Sequence, residues 1–202
     1  MASEDRRSRR TRRLLREAFV ALILERGYSA VRVEEITERA DLGRATFYTH
    51  FADKDALLDS VVSELIDEMH LRLQPLMADS VKAFTGKPVL ELFRLAAHER
   101  EAYRVVLRGE GDGRALRRFT EDRASAAARI FTERAAAQGV TLRVDADILA
   151  RAWVGELVAT LTWWLESGST LTPEQITGEL VNLSLRGRYW ASGFDDELPV
   201  RG

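Results

Sequence analysis

The residue types best suited to chemistry are concentrated in one short stretch, LGRATFYTHF, at positions 42–51. Its ten residues include one arginine, two threonines, one histidine and three aromatic rings, more hydrogen-bonding groups than an ordinary amphipathic helix displays. Phe47 and Phe51 are four residues apart, so in a helix they share one face and anchor it to a core. The polar side chains are then left on the other faces, where they predict recognition of another molecule.

A short helix of this composition is suited to the major groove of B-form DNA, where each base pair displays a distinct set of donors, acceptors and methyl groups. Arg44 is able to donate two hydrogen bonds to guanine, and Thr46 offers a hydroxyl and a methyl near the first turn. Phosphate contacts are expected from Tyr48, Thr49, His50 and Lys54. The stretch therefore predicts a DNA-reading helix surrounded by phosphate ligands.

A basic arm, RRSRRTRR at residues 6–13, precedes this stretch. Residues 1–54 hold 12 Lys or Arg against 9 Asp or Glu, whereas the whole chain has a net charge of −2, so a basic end precedes an acidic remainder. A run of charge alone is typical of a solvated tail, and residues 1–8 are predicted to be disordered. Beside a DNA-reading helix, phosphate or minor-groove contact becomes the preferred interpretation for Arg9, Arg10, Arg12 and Arg13.

Helical spacing of apolar residues runs through almost the whole chain without strand-like alternation or internal repeats, so the sequence predicts an all-α protein of about nine helices. Near the start, helices are predicted at residues 9–26, around residues 33–40 and in the LGRATFYTHF stretch. Two short helices joined by a tight turn form the helix-turn-helix pattern. We therefore expect a helix-turn-helix domain at residues 9–58 and a second, antiparallel helical domain at residues 59–202.

The remaining helices are delimited by capping and helix-breaking residues. Asp53 is a typical helix cap, and Thr172 with Gln175 forms a typical capping box. Pro75 is a helix-breaking residue, so the helix that starts near Lys54 is expected to end just before it. Helices are predicted at residues 54–73, 88–107, 114–138, 145–167 and 172–190. The first of these would connect the helix-turn-helix to the second domain.

Residues 27–58, GYSAVRVEEITERADLGRATFYTHFADKDALL, resemble the N-terminal domain of the TetR family of transcriptional regulators across the whole helix-turn-helix. The resemblance is carried by Gly27, Tyr28, Ile36, Ala40, Thr46, Phe47, Tyr48, His50, Phe51, Lys54, Leu57 and Leu58. It implies an all-helical homodimer that binds a palindromic operator in double-stranded DNA, usually as a repressor. It also implies that a small-molecule effector enters the second domain and releases the DNA.

Four positions depart from the family pattern: Asp41 and Ala45 replace usual glycines, Gly43 a usual serine, and Arg32 a capping threonine or serine. As a helix cap, glycine costs roughly a few tenths of a kcal/mol relative to serine, so the fold is expected to form. The lost serine removes one phosphate contact, and Asp41 adds negative charge near the DNA. These departures motivate an alternative, a TetR-like binding or coactivator module that does not read DNA sequence.

The second domain is expected to bind the effector and to form the dimer. Residues 153–176, WVGELVATLTWWLESGSTLTPEQI, resemble the end of many TetR-family effector domains, where two helices build a four-helix interface. This resemblance, with an apolar surface larger than one core needs, predicts dimerisation through Val154, Leu157, Leu161, Trp164, Ile176, Leu180 and Leu183. Candidates for a mostly apolar effector pocket, each alternatively a core residue, are Phe93, His98, Tyr103, Leu107, Trp153 and Trp163.

The sequence offers no support for a catalytic or metal-dependent function. It has no cysteine, and His50, His70 and His98 lack the spacing of a zinc site. No nucleotide-binding or nucleophile motif is found, and GEGDG at residues 109–113 is interpreted as a flexible polar loop. We expect no enzyme activity, cofactor or metal. Because no export signal and no membrane-spanning apolar run are found, the sequence predicts a cytoplasmic protein.

Overall fold

The computed structural model describes the backbone of residues 2–82 and 85–191 and the side chains of residues 6–77 and 85–187. Within these ranges the chain is all-helical, as predicted, with nine α-helices, one 3-10 turn at Tyr28–Ala30 and no strand. The helices are α1 (Ala2–Arg26), α2 (Val33–Arg39), α3 (Arg44–His50), α4 (Lys54–Lys82), α5 (Lys87–His98), α6 (Arg100–Leu107), α7 (Arg114–Gln138), α8 (Ala146–Glu166) and α9 (Pro173–Ala191).

The predicted caps of Asp53 and Thr172 are confirmed, Asp53 by accepting from the Ala56 N–H at 2.8 Å, and the structure adds a cap at Asp145. Asp145 accepts hydrogen bonds from the backbone N–H groups two and three residues ahead, at 2.9 and 3.3 Å. Before α9, the Thr172 hydroxyl accepts from the Gln175 N–H at 3.3 Å, and the Gln175 side chain accepts from the Thr172 N–H at 2.8 Å. Near its end, α9 is interrupted at Gly187, whose φ of 86° is non-helical.

The N-terminal helix is longer than the sequence predicts. α1 begins at Ala2, so residues 2–8, predicted to be disordered, form its first two turns. Arginine and glutamate are good helix formers, and no proline or glycine interrupts the sequence of α1. As a result, the arginines of the basic arm have the fixed spacing of a helix.

The fourth helix also extends beyond its predicted end, because α4 continues through Pro75 to Lys82. Proline inside a helix removes one backbone hydrogen bond and costs about 3 kcal/mol. Leu71, whose carbonyl loses its donor, is 65% exposed, so water is available to replace the lost bond. On its other side α4 packs against α5 and α7, and that burial outweighs the local cost.

The segment predicted as one helix at residues 88–107 forms two helices, α5 and α6, separated at Glu99 (φ −100°, ψ 39°). The Glu99 carboxylate accepts a hydrogen bond from Arg16 Nη2 at 2.7 Å, which ties the junction to α1. Because the chain bends here, α6 packs against α1 and α8, whereas α5 packs against α4 and α9.

A continuous hydrophobic core joins the N-terminal helices to the C-terminal ones. Its buried residues include Phe19 and Phe47 at one end, Leu57 and Met69 along α4, and Leu161 at the other end. The predicted domain boundary after residue 58 falls in the second turn of α4, so this helix belongs to both parts. No described helix has both the length and the apolar composition needed to span a membrane.

Candidate functional site

α2 and α3 form a helix-turn-helix in which the second helix is anchored from behind. Phe47 is fully buried and Phe51 nearly so, with ring centroids 5.9 Å apart, which confirms the role predicted from their spacing. The turn is closed by Leu42, whose N–H donates to the Thr37 carbonyl at 2.9 Å. Asp41 adopts a left-handed φ of 54°, a conformation that aspartate tolerates better than most residues. The loss of a turn glycine is therefore accommodated locally.

The polar residues of α3 lie on its outer surface. Three of the five candidates are exposed and two are half-buried: Arg44, Tyr48 and Thr49, and Thr46 and His50. The Tyr48 side chain is 52% exposed, and its ring packs edge-on against Phe47 with centroids 5.4 Å apart. The Thr49 hydroxyl donates to the carbonyl four residues earlier at 2.9 Å. Its proton is therefore used within the helix, and its oxygen is available to accept a hydrogen bond from another molecule. The structure thus collects all five on one short helix.

Arg44 forms an ion pair that the sequence did not predict. Its Nη2 lies 2.7 Å from a carboxylate oxygen of Glu34 on α2, and both side chains are more than half exposed. An exposed pair of this kind is worth about 0–1 kcal/mol. The guanidinium is therefore oriented by Glu34 at low energetic cost. No motif in the sequence marks Glu34 for this role.

The Lys54 side chain forms hydrogen bonds within the protein. Its Nζ donates to the backbone carbonyls of Tyr28 and Val31, both at 3.0 Å, and lies 4.3 Å from the centroid of the Tyr28 ring. These contacts hold the turn between α1 and α2 against the start of α4. A phosphate contact by Lys54 stays a prediction, and it would have to use the third N–H of the ammonium group.

One residue of the basic arm contacts the end of α3. The Arg12 guanidinium lies 5.0 Å from the centroid of the Phe51 ring, and its Nη2 donates to the Ser60 hydroxyl at 3.2 Å. Arg13 donates to Glu17 at 3.4 Å within α1. Arg9 and Arg10 have exposed side chains on the same helix. The helical arm therefore adds positive charge next to the candidate reading helix.

The loop between α6 and α7 is tied to the N-terminal helices, contrary to its interpretation as a flexible loop. The Tyr28 hydroxyl donates to Asp55, which also accepts from Arg114 Nη2 at 3.1 Å, and the Tyr28 N–H donates to Glu110 at 2.9 Å. Burial, and then the Asp55 carboxylate, raise the pKa of Tyr28, so its hydroxyl stays a donor. At Gly111, whose φ is 67°, an added Cβ would lie 2.5 Å from a Leu58 methyl group, so a larger residue would strain the backbone and displace Leu58.

A cavity lies between α4, α5, α7 and α8. It consists of two chambers of about 80 and 70 Å³ that share Pro88, Val89, Ala127, Ile130 and Trp153. The first chamber also adjoins an open groove of about 610 Å³ between α4 and α7, with which it shares Leu73, Met77, Arg123 and Ala126. The two chambers are bounded mainly by apolar side chains, whereas the groove is also lined by His70, Gln74, Arg123 and Arg129.

Among the six predicted effector-binding residues, Trp153 lines this cavity and the others do not. Three of them belong to the core instead, each with at most 5% of its surface exposed: Phe93, Tyr103 and Leu107. His98 lines a polar surface groove beside α1, and Trp163 is 51% exposed on α8. Sequence spacing identifies apolar helix faces, but it does not distinguish a cavity wall from a filled core.

The residues predicted to form the dimer are mostly buried within the protomer itself. Six of the seven are buried in the protein's own core: Val154, Leu157, Leu161, Trp164, Ile176 and Leu180. Leu183 is half-buried. α8 uses its inner face to pack against α6 and α7. Its exposed face has a stripe spaced by three or four residues, namely Ile148, Ala152, Gly155, Ala159 and Trp163.

Known families and proteins match both parts of the chain. The family model described as "Bacterial regulatory proteins, tetR family" matches residues 15–61, and "Transcriptional regulator C-terminal region" matches residues 87–186. The HTH-type transcriptional regulator TcmR of Streptomyces glaucescens is 30% identical over 205 residues, which cover 93% of this chain and 88% of TcmR. The chain belongs to the TetR family of bacterial transcriptional regulators.

Other matches agree with this assignment but cover less sequence or have lower identity. The HTH-type regulator YxbF of Bacillus subtilis is 36% identical over 76 residues, 35% of this chain, which spans only 20% of YxbF. A TetR-family regulator from Syntrophomonas wolfei superposes with a TM-score of 0.72 at 15% identity, covering 95% of this chain and 98% of that one. FadR of Bacillus subtilis, in complex with stearoyl-CoA, superposes with a TM-score of 0.68 at 19% identity, covering 87% of this chain and 98% of that one. At these identities the two structures show the fold alone.

Proposed function

We propose that this regulator is a repressor that binds a palindromic DNA operator as a homodimer and is released by a small-molecule effector. The observation that carries the proposal is the composition of the α3 surface: the buried Phe47 anchors one face, and five exposed or half-buried hydrogen-bonding side chains occupy the rest of the helix. A helix of this kind fits the major groove. Because this role requires access to the chromosome, we propose a cytoplasmic protein with a regulatory and not a catalytic function.

In this proposal Arg44 and Thr46 read bases from the start of α3. Arg44 exchanges its carboxylate partner, Glu34, for a guanine edge, which accepts two hydrogen bonds from a guanidinium. Phosphates are contacted by Tyr48, Thr49, His50 and Lys54, and by Arg9, Arg10, Arg12 and Arg13 of the arm. The position of Arg12 against Phe51 supports the arm's part in this surface.

A palindromic operator requires two copies of the chain related by a two-fold axis. The exposed stripe of α8 replaces the buried residues as the proposed dimer contact. Its centre is formed by Ala152, Gly155 and Ala159, small side chains that allow a second helix to approach closely, and Ile148 and Trp163 supply large apolar surface at the ends. Leu185 of α9, 63% exposed, is a further apolar side chain available to a partner.

The helix α4 is the proposed lever for release, because it joins the two parts of the chain without interruption. At its start Lys54 holds the turn before α2, and near its end Leu73 and Met77 line the cavity. An effector shifts the protein toward a DNA-incompetent arrangement only if it binds that arrangement more tightly. The stearoyl-CoA complex of FadR supports a ligand role for this fold.

Selection of binding sites from a random DNA library at physiological salt tests the proposal. The wild-type protein is expected to enrich an inverted repeat, and Arg44→Ala and Tyr48→Ala are expected to lose that enrichment. Arg151→Ala serves as a matched arginine control, because Arg151 pairs with Glu121 on the surface of α8 and α7, away from α3. An absence of any enriched sequence would contradict a sequence-reading repressor.

The Glu34–Arg44 pair and the charge of Asp41 also fit a second candidate, a TetR-like binding or coactivator module that does not read DNA sequence. In that case Glu34 would hold the guanidinium permanently, and the basic arm alone would contact phosphates. This module is expected to bind all duplexes alike, with a strong dependence on salt. The same selection therefore separates the two functions.

A further inference from the structure

We propose that the effector of this regulator is an amphipathic anion, a carboxylate or similar acid with an apolar body, bound in the groove and chambers between α4, α5, α7 and α8. The inference rests on the proposed effector-responsive function and specifies the chemistry of the ligand. It is carried by the charges on the cavity walls and by their position relative to the apolar surface.

The groove and the two chambers adjoin one another, and all three are partly open to solvent. The groove and the first chamber share Leu73, Met77, Arg123 and Ala126, and the first and second chambers share Trp153. A ligand whose polar end remains in the groove thus reaches the apolar chamber with the rest of its structure. Ligand pockets typically combine apolar walls with a few polar groups that fix orientation.

The charged residues that line this space are all arginines among the described residues: Arg123 and Arg129 at the groove and Arg134 at the second chamber. No carboxylate side chain is found among the described lining residues. Because Asp122 pairs with Arg123, the charge argument rests on Arg129 of the groove: an arginine there and no described lining carboxylate favour an anionic ligand over a cationic one.

Arg123 lies where the groove meets the apolar chamber, and only 7% of its surface is exposed. Its Nε and Nη2 both donate to Asp122, which also lies 3.1 Å from His70 Nε2. Asp122 compensates one positive charge, and Arg129 adds another in the same groove. Burial also lowers the pKa of Arg134, the effect expected where a cation is deprived of water.

An anionic head at this junction would form charge-assisted hydrogen bonds with the guanidinium groups, which are stronger and more directional than neutral ones. A neutral head would form weaker hydrogen bonds with these guanidinium groups, and a cationic head would be repelled by them. The apolar body is expected to be small or slender, because the two inner chambers measure about 80 and 70 Å³.

Isothermal titration calorimetry of the full-length protein tests the inference by measuring its affinity for octanoate, 1-octanol and octylamine. These probes have the same eight-carbon chain length and differ in the charge of the head group. We expect octanoate to bind at least about tenfold more tightly than either of the others, as a charge-assisted contact predicts. Arg123→Met and Arg129→Met should each reduce that preference, and Arg117→Met, an exposed arginine of α7 outside the groove, should keep it.

Equal binding of the three probes, no binding of octanoate, or a preference that survives both groove variants would overturn the inference. If Arg123→Met fails to fold because Asp122 loses its partner, Arg129→Met and Arg123→Lys still decide the result, and the lysine variant should retain the preference. DNA affinity is measured separately with and without octanoate. Tight octanoate binding that leaves DNA affinity unchanged would support the ligand class and contradict effector-driven release.

Discussion

Arg44 is the residue on which the proposed sequence reading depends most. Its exposed pair with Glu34 is worth about 0–1 kcal/mol, whereas a bidentate contact with guanine discriminates against other bases by about 1–3 kcal/mol. The exchange of partners on binding DNA is therefore favourable. Glu34 orients the free guanidinium without holding it strongly.

Replacement of Arg44 by alanine is expected to relax specificity at one base pair of each half-site. The expected loss is about 1–3 kcal/mol for the preferred base and much less for the other three. Fluorescence anisotropy with single-base variants of the selected repeat measures this difference. A uniform loss of affinity across all variants would instead assign Arg44 to the phosphates.

Replacement of Glu34 by glutamine is expected to strengthen DNA binding. The substitution removes the competing carboxylate and one negative charge beside the reading helix while it keeps the size of the side chain. We expect the Kd for the selected repeat to fall about two- to fivefold, the equivalent of an exposed ion pair. Glu38→Gln is a matched control on the same helix, and an equal gain with that variant would show a general charge effect.

Replacement of Lys54 by alanine is expected to destabilise the fold as well as DNA binding. The carbonyls of Tyr28 and Val31 would lose a charged donor, at a cost of about 1–3 kcal/mol in the free energy of unfolding. Urea denaturation measures this cost, with the exposed Arg10→Ala as the control. An unchanged unfolding midpoint would show that these hydrogen bonds contribute little.

Residue types in the sequence predicted the exposed face of α3, because one helical turn determines which side Phe47 and Phe51 occupy. Partners distant in sequence could not be predicted in this way. The Arg44–Glu34 pair, the carbonyl acceptors of Lys54 and the Tyr28–Asp55 bond depend on how helices pack, and no local pattern encodes them.

Between elements, Glu166 at the end of α8 joins that helix to α6. Its carboxylate accepts from Arg108 Nε and Nη2 at 2.8 and 2.7 Å and from Arg104 Nε at 3.0 Å. These bonds, that of Arg108 foremost, lower the pKa of Glu166 from 4.5 to about 2. The contact therefore stabilises the ionised carboxylate of the folded protein.

This lowered pKa predicts a pH dependence. Because the folded pKa lies below the unfolded one, the stabilisation is complete above about pH 4.5 and is lost as the pH falls toward about 2. Glu166→Gln should therefore lose stability at neutral pH and show a smaller further loss on acidification than wild type. Urea denaturation at about pH 6 and pH 3 measures both effects. Identical pH profiles would contradict the assignment.

The number and positions of the helices could largely be predicted from periodicity and caps, as at Asp53 and Thr172. Predictions failed where packing overrides local preference. Pro75 lies within α4 because that helix is supported by α5 and α7, and Glu99 interrupts a continuous helical pattern where two helices must reach different neighbours.

For the whole molecule, the rotation of α8 about its own axis determines which of its side chains are exposed and available for assembly. The sequence showed apolar residues around most of α8, and only the packing of α7 reveals that Leu161 faces inward and Ala159 outward. The same limit applies to the effector cavity, because Arg123 and Trp153 become neighbours only after α7 and α8 pack.

Ala159→Glu is expected to break the proposed dimer without unfolding the chain. A charged side chain in the middle of the small-residue stripe would be buried against the partner helix without a compensating charge. Light scattering after size exclusion should show a monomer with unchanged helical content. Leu161→Ala should have the opposite effect, a loss of about 2–5 kcal/mol in the free energy of unfolding with the dimer retained. A dimeric Ala159→Glu variant would exclude this face as the interface.

The most direct test of the central claim is the affinity of the protein for the enriched inverted repeat relative to a scrambled duplex of the same composition, at physiological salt. A dimeric reader of DNA sequence is expected to bind the repeat about a thousandfold or more tightly, with two protomers on each duplex. Equal affinity for both duplexes would contradict sequence reading by α3 and leave the basic arm as the only source of DNA binding.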